Sequence, residues 1–445
     1  MKKSSLLSLF LLATTSFANS STELQNSSLV IYNQNAALVH EQRTLHLTPD
    51  TKQIIYEDVA GTINTDSVNV KFPSGVKLLT QQYKYDKLTL TKLLQAHIGK
   101  QVKVKLDKKT ITATLLSAED RALVKTQDGK IFTTKTKNII FETIPKTLIT
   151  KPSLVWNIQT DNKIDAELEM DYLISNISFT SNYVLDFQGE SGNLTGWLTV
   201  DNRSQKAFHN TKLSFLAGDV NFASQPQPLT YKAIRATAVM QDSVAINTPF
   251  EGYHLYTIPF KVNIANNEKT QIKFLDLQQI KATKEYIATL SNPLYLQGEI
   301  KSDVMQQIVL EPLSEPLPKG VVRIYAKQGD QTILLGEDRI KHTPKSTKIT
   351  LNIGKNFDLK VTQTIISKDK QKDSIASKVL YTIKNSSDAT KKVTLLVPFS
   401  KDKSAKVFSK QKFKFTKGNF ATFTINVPAN TTRNFVAEFE KNRVK

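Results

Sequence analysis

The stretch LTGWLTVDNRSQKAFHNTKLSFLAGDVN, residues 194–221, decides how this chain is read. It gathers Trp, Asp, Arg, His, Ser and two glycines into 28 residues. Those residue types furnish hydrolase active sites, and they also furnish the ends of β-strands. In strand register Trp197, Thr199 and Asp201 share one face, and Leu198, Val200 and Asn202 share the other. The alternation stops at Asn202-Arg203-Ser204. Asn tolerates the left-handed conformation and bonds its own backbone, which is the chemistry of a turn. A new strand, KLSFLA, then runs into a second turn at Gly218-Asp219. A Ser204-His209-Asp219 triad can be drawn on paper, but Ser204 lacks the strained strand-to-helix elbow that presents a nucleophile. The stretch reads as punctuation of a β-sheet.

The same punctuation returns later. Val200-Asp-Asn202-Arg-Ser204 matches Ile383-Lys-Asn385-Ser-Ser387, and each lies between two strand-like runs. Ile264-Ala-Asn-Asn267 likewise matches Val427-Pro-Ala-Asn430. Asn202 and Asn385 are 183 residues apart, whereas Asn267 and Asn430 are 163 apart, so this is no tandem repeat. It predicts two sandwiches built by the same rules.

Most of the remaining chain alternates with the two-residue period of strands, as in VNVKF (68–72), QVKVKL (101–106) and FATFTINV (420–427). The clearest helical pattern is LTKLLQAHI, residues 90–98, with Leu90, Leu93, Leu94 and Ile98 on one face. Five short strand runs follow it, and Asp128-Gly129 marks a hairpin because both positions tolerate positive φ. That module resembles a small SH3-like or Sm-like barrel. PLSEPLPKG, residues 312–320, reads as a stiff connector or sheet edge. The expected fold is all-β and multi-domain: a leader (1–18), an N-terminal β domain (19–89), the small barrel (90–147), a central sandwich (148–357) and an immunoglobulin-like sandwich (358–445).

The chain of 445 residues opens MKKSSLLSLFLLATTSFANS, a basic n-region followed by an apolar core and small residues before Ala18. This is the pattern of a secretory signal cleaved after Ala18. The expected location is the periplasm or the exterior. No later run approaches the ~20 apolar residues needed to span a bilayer. Cysteine is absent, which excludes disulfides, thiolate metal sites and Cys nucleophiles. The formal net charge is +20, and only two lysines of that excess lie in the leader. Such a charge favours anionic partners.

The opening stretch also carries a family resemblance. GWLTVDNRS followed by KLSFLAGDVN, and then VRIYAKQGDQTILLGEDRIKHTPKSTKITLNIGKNFDL (322–359), resemble two ordered signatures of an exported bacterial family. It is the domain-of-unknown-function family 4139, related to mucoidy-inhibitor-like proteins. The resemblance spans most of residues 165–445 and implies a β-rich exported protein with no assigned chemistry. Relatives tend to carry Trp where this chain has Phe179, which weakens any ligand-binding role there.

No residue is assigned a catalytic, cofactor or metal role. His40-Glu41 does not open an HExxH motif, and His40 with His46 is a weak metal pair. DAELEMDY (165–172) places Asp165, Glu167, Glu169 and Asp171 on one face, more in keeping with a charged outer surface than with a calcium site. Neither Walker A nor G-x-G-x-x-G occurs.

Basic clusters remain. Residues 401–417 hold seven lysines against one acid, and KQKFKF alternates Lys410, Lys412 and Lys414 with the apolar Phe413 and Phe415. Such lysines guard an edge strand or face a polyanion. The loop GEDRIKHTPK (336–345) offers Arg339, His342 and Lys345, with Glu337 and Asp338 as partners for Arg339. Together these six cations form the candidate binding patch.

The expected function is a non-catalytic envelope binding or structural protein. Its partners would be anionic envelope polysaccharide, lipid headgroups or another envelope protein. Two alternatives are a secreted hydrolase or carbohydrate-modifying enzyme, and nucleic-acid binding through the Sm-like module. The module's only aromatics, Phe132 and Phe141, do not interleave with its bases, which disfavours nucleic acid.

Overall fold

A computed structural model describes residues 18–85, 88–106, 109–144, 148, 150–218, 220–222, 246–250, 252–402 and 404–442. The expected leader, apart from Ala18, lies outside the described residues, as does Asp219. The described chain is all-β and multi-domain, and its strands pack as sandwiches. Among the described residues no helix is long and apolar enough to cross a membrane.

The chain divides into two compact units that are discontinuous in sequence. The first comprises Met1–Ser178, Asp201–Phe215 and Phe260–Thr270. Its central strand, Ala36–Leu47, is antiparallel to Ala18–Tyr32 on one side and to Ile164–Ser175 on the other. Every second residue of the central strand, from Ala37 to Leu47, is buried. Trp156, on the strand Ser153–Gln159, is fully buried, with Tyr56 and Phe72 each packed edge-on at 5.3 Å.

Within this unit a separate five-stranded sheet forms from Gln101–Lys105, Thr110–Ala118, Arg121–Thr126, Ile131–Lys135 and Ile139–Ile140. Its own core gathers Leu94, Val102, Val104, Ala113, Leu115, Ala122, Val124 and Ile139. Gly129 takes φ +86° in the hairpin turn, as its Asp-Gly signal requires. The helix is Leu90–Ala96, capped by the Thr89 hydroxyl, which accepts from the Lys92 amide. Its inward face differs from the expectation. Leu90 and Ile98 are exposed, whereas His97 is buried. The His97 ring lies 4.8 Å from Phe141, and its Nδ1 lies 2.8 Å from the Leu93 carbonyl. Gly99 at φ +79° turns the chain before another helical turn can form, so Ile98 never joins the apolar stripe.

The second unit comprises Phe179–Val200, Leu216–Pro259 and Gln271–Lys445. In its C-terminal part Glu299–Leu310, Ile349–Lys370, Ser374–Asn385, Thr431–Asn442 and Ala405–Ser409 pair in that order, all antiparallel. Facing them are Lys391–Pro398, Phe420–Val427 and Phe413–Thr416, again antiparallel. The core between holds Tyr381, Phe399, Phe423, Phe439 and their aliphatic neighbours.

Both Asn corners close as their sequences anticipate. Asn202 is wholly buried, and its amide nitrogen donates to the Lys206 carbonyl (2.8 Å) and the Ala265 carbonyl (3.1 Å). Its Oδ1 accepts from the Ser204 amide (3.1 Å) and hydroxyl (2.7 Å). Asn385 repeats this with the carbonyls of Ala389, Val427 and Pro428 and with the amide and hydroxyl of Ser387. Strand register matches too: Phe208 lies opposite Ile264, and Lys391 lies opposite Val427. Asn267 and Asn430 both take positive φ, at +61° and +51°.

A candidate binding groove at a sandwich edge

The chain reverses between Ala405–Ser409 and Phe413–Thr416, and this crossing builds an open groove. The first strand pairs with Thr431–Asn442 only as far as Ser409 opposite Ala437. The next residues leave that layer, and Phe413 pairs with Phe423 in the other. Ser409 stabilises the departure: its hydroxyl donates to the Val436 carbonyl (3.0 Å) and accepts from the Gln411 amide (3.1 Å). Beyond that point the outer edge of residues 431–436 has no strand beside it among the described residues.

The resulting groove has a volume of about 750 Å³, and its walls include Lys378, Phe408, Lys410, Asn434, Phe435 and Glu438. Phe408 is 53% exposed although it is a large apolar residue. Phe435 is half-buried, stacked on Tyr381 at 4.9 Å and against Phe423 at 5.0 Å. The alternation expected from KQKFKF is present: Lys410, Lys412 and Lys414 are exposed, and Phe413 and Phe415 pack against the core. None of Lys378, Lys410, Lys412 and Lys414 makes an ion pair among the described residues.

The other half of the candidate patch has a different character. Arg339 lies in the strand Gln331–Ile340, not in a loop, opposite Val321 of Gly320–Gln328. Neither expected acid pairs with its guanidinium among the described residues, although the Arg339 backbone amide donates to Asp338 Oδ1 (2.7 Å). Glu337 accepts from Arg323 Nε (2.8 Å), and Asp338 accepts from the Asn352 amide (2.7 Å). Strand pairing explains the correction, because Arg323 sits directly opposite Glu337. His342 is exposed and its Nδ1 accepts from the Lys319 amide (3.3 Å). Lys345 is largely covered and lies 3.9 Å from the nearly buried Glu315. Burial holds the Glu315 carboxyl above its ordinary range against the pull of Lys345. Burial also lowers His254, and Lys345 adds to that effect. Lys345 therefore serves an internal charge pair, and it is no exposed cation for a partner.

Of the paper triad, Asp219 lies outside the described residues, and Ser204 is placed as a corner residue. The Ser204 hydroxyl is buried and committed to Asn202. The carboxylate row of residues 165–171 is an outer face met by the neighbouring strand: His46 pairs with Asp165 (2.7 Å) and His40 with Asp171 (2.8 Å). Lys71 pairs with Glu169 at 3.2 Å. Among the described residues no three His, Asp or Glu side chains converge as a metal site would require.

One polar constellation was missed from the sequence. Glu41 is fully buried in the first unit, between Arg43 (2.5 Å to Nη2) and Lys206 (2.8 Å to Nζ). Tyr56 and Tyr172 donate their hydroxyls to the same carboxylate, at 2.8 and 3.2 Å. The Lys206 ammonium also donates to the Asp58 carbonyl. Burial pushes the Glu41 carboxyl up, but the charges and hydrogen bonds of Lys206 and Arg43 outweigh it and hold it at about 2. Both tyrosines are pushed up by burial and by Glu41. The alternation of VHEQRTL carried a signal, since Glu41 and Arg43 share parity with Val39 and Leu45. Every group here is engaged by another, so the cluster braces the core and presents no reactive group.

No family model matches the chain, and no curated protein sequence is similar to it.

Proposed function

We propose that this is an exported, non-catalytic binding protein of the cell envelope that engages anionic material through the basic edge of its C-terminal sandwich. The observation that carries this reading is the set of exposed lysines 378, 410, 412 and 414, without ion pairs among the described residues, beside an open groove with exposed Phe408. An edge strand needs lysines to prevent pairing with other edges. It does not need an apolar-floored groove next to them. The leader-like N-terminus, the charge of +20 and the resemblance to the exported family 4139 agree with an envelope location.

The test is co-sedimentation of the purified chain with anionic lipid vesicles and with polygalacturonate, at low and high salt. Binding at low salt that weakens as salt screens the charges supports the proposal. The triple change of Lys410, Lys412 and Lys414 to Ala should then abolish most of it. Absence of binding at low salt to either material, and to acidic peptide, would sink it.

A further inference from the structure

The groove also has a row of backbone groups that no strand pairs among the described residues. In an antiparallel sheet, the N–H and C=O of one residue point to the same edge, and the next residue's point to the other. The Val436 carbonyl points toward the outer edge, because the Ser409 hydroxyl reaches it. Asn434 and Thr432 have the same parity and present their backbone groups along that edge. On the inner side the whole of residues 431–442 is paired with Ser374–Asn385. The neighbouring open edge is guarded: Phe413–Thr416 has Lys414, with Lys412 just before it. Along residues 431–436 the only charge is Arg433. An unguarded edge next to partly buried aromatics is what a sheet presents to an added strand.

We propose that the edge of Thr431–Asn442 accepts an extended acidic polypeptide segment as an additional β-strand, in the place that Ala405–Ser409 vacates after Ser409. The assignment rests on the anionic-partner reading above and names the class of partner. An added strand would alternate its side chains between two environments. Inward residues meet Phe413 and Phe435 at the open end of the core, which favours apolar side chains. Outward residues lie on the face of Asn434 and Val436, where Lys410 lines the groove, and Lys378 and Glu438, level with Phe408, stand at its end. The ammonium groups of Lys410 and Lys378, neither in an ion pair among the described residues, favour acidic side chains on that face. The ligand is therefore a segment in which acidic and apolar residues alternate. Backbone hydrogen bonds supply affinity, and the alternating pockets supply specificity.

The experiment uses the full chain and an N-acetylated octapeptide alternating Glu with Val or Thr, followed by fluorescence anisotropy. Two further peptides carry N-methyl groups on alternate backbone nitrogens, one set on each parity. Strand addition predicts that one parity loses binding by about tenfold or more while the other does not, since each blocked amide removes a hydrogen bond. Lys378→Ala and Lys410→Ala should each weaken binding several-fold. Asn434→Pro removes an edge amide that the inner pairing does not use, and should abolish it. Should that variant not fold, the methylated peptides still decide. Equal binding of both methylated peptides, or polygalacturonate binding equally tightly through Lys410, overturns strand addition and leaves the charge-driven reading standing. Binding of neither peptide, polyanion nor anionic vesicle overturns both. A chain that sediments as a dimer, and that Asn434→Pro converts to monomer, assigns the edge to a second copy and overturns the peptide assignment.

Discussion

The Asn202 and Asn385 corners share a hydrogen-bond scheme and differ in what stands two residues past the serine. At the first corner it is Lys206, which is 6% exposed and reaches the buried Glu41. At the second it is Ala389, which is exposed and reaches nothing charged. In both the backbone carbonyl at that position receives the Asn amide. The carbonyl belongs to the turn, while the side chain is free to serve the surrounding unit. One corner has therefore become the anchor of a buried charge cluster, and the other has remained a purely backbone device. A corner motif in sequence thus indicates how the chain turns. It does not indicate what is held together around the turn.

The largest expected effect separates the two corners at their charges. Glu41→Ala leaves the buried Arg43 and Lys206 without their anion, and breaking a buried pair in this way costs about 3–5 kcal/mol. Lys206→Ala should fall in the lower part of that range because Arg43 remains bonded to Glu41. Ala389→Lys, the reciprocal change, should stay within about 0.5 kcal/mol as an exposed substitution. Denaturant unfolding reads all three. The chain has two tryptophans, so Trp197→Phe leaves Trp156 as reporter of the first unit. A small cost for Glu41→Ala would show that the cluster does not brace the core.

Acid should act on the same difference. The Glu41 carboxyl is held at about 2 in the folded chain against an ordinary 4.5. A depressed carboxyl stabilises fully above its unfolded value, and that stability is lost as pH falls toward the folded value. Between pH 4.5 and 2 the first unit should thus lose on the order of 3 kcal/mol from this group. Unfolding midpoints of Glu41→Gln should show a flatter pH slope in that window. An unchanged slope would place the acid sensitivity elsewhere.

At the shared asparagines the corners should respond alike. Asn202→Ala and Asn385→Ala each strand backbone carbonyls and a serine hydroxyl, at a cost of about 2–4 kcal/mol by the usual penalty for unsatisfied groups. Trp156 reports the first variant and Trp197, in the second unit, the second. Costs differing by more than twofold would break the equivalence of the corners. Smaller effects than these lie at Asn267 and Asn430, both in the left-handed region. Replacement by Gly should change stability by a few tenths of a kcal/mol, and replacement by Ala should cost about 1 kcal/mol. Thermal melts of the four variants provide the check.

The legible parts of the molecule are those governed by local rules. Parity put Leu198, Val200 and Asn202 on one face, and that face is the buried one. It set the phenylalanines of KQKFKF inward and the lysines outward, and the carboxylates of residues 165–171 on an outer face. Local pattern failed where a neighbour in space intervened. Leu90, Leu94 and Ile98 fit a helical stripe, but of these only Leu94 is buried, and His97 is buried beside it. Arg339 has two acids beside it in sequence, yet Glu337 prefers the arginine across the strand.

By itself the sequence determined the all-β class, the two corners, the faces of the strands and the composition of the basic edge. Backbone sterics and the two-residue period act within a few residues, so these features can be read without knowing which strands meet. Only the tertiary structure decided that Lys206 joins Glu41 across 165 residues, that Lys345 is drawn inward to Glu315, and that Ser409 ends one pairing and opens a groove. Those outcomes depend on register and burial. Register is settled by all strands of a sheet at once, and burial of a charge is tolerated only where distant partners arrive to meet it.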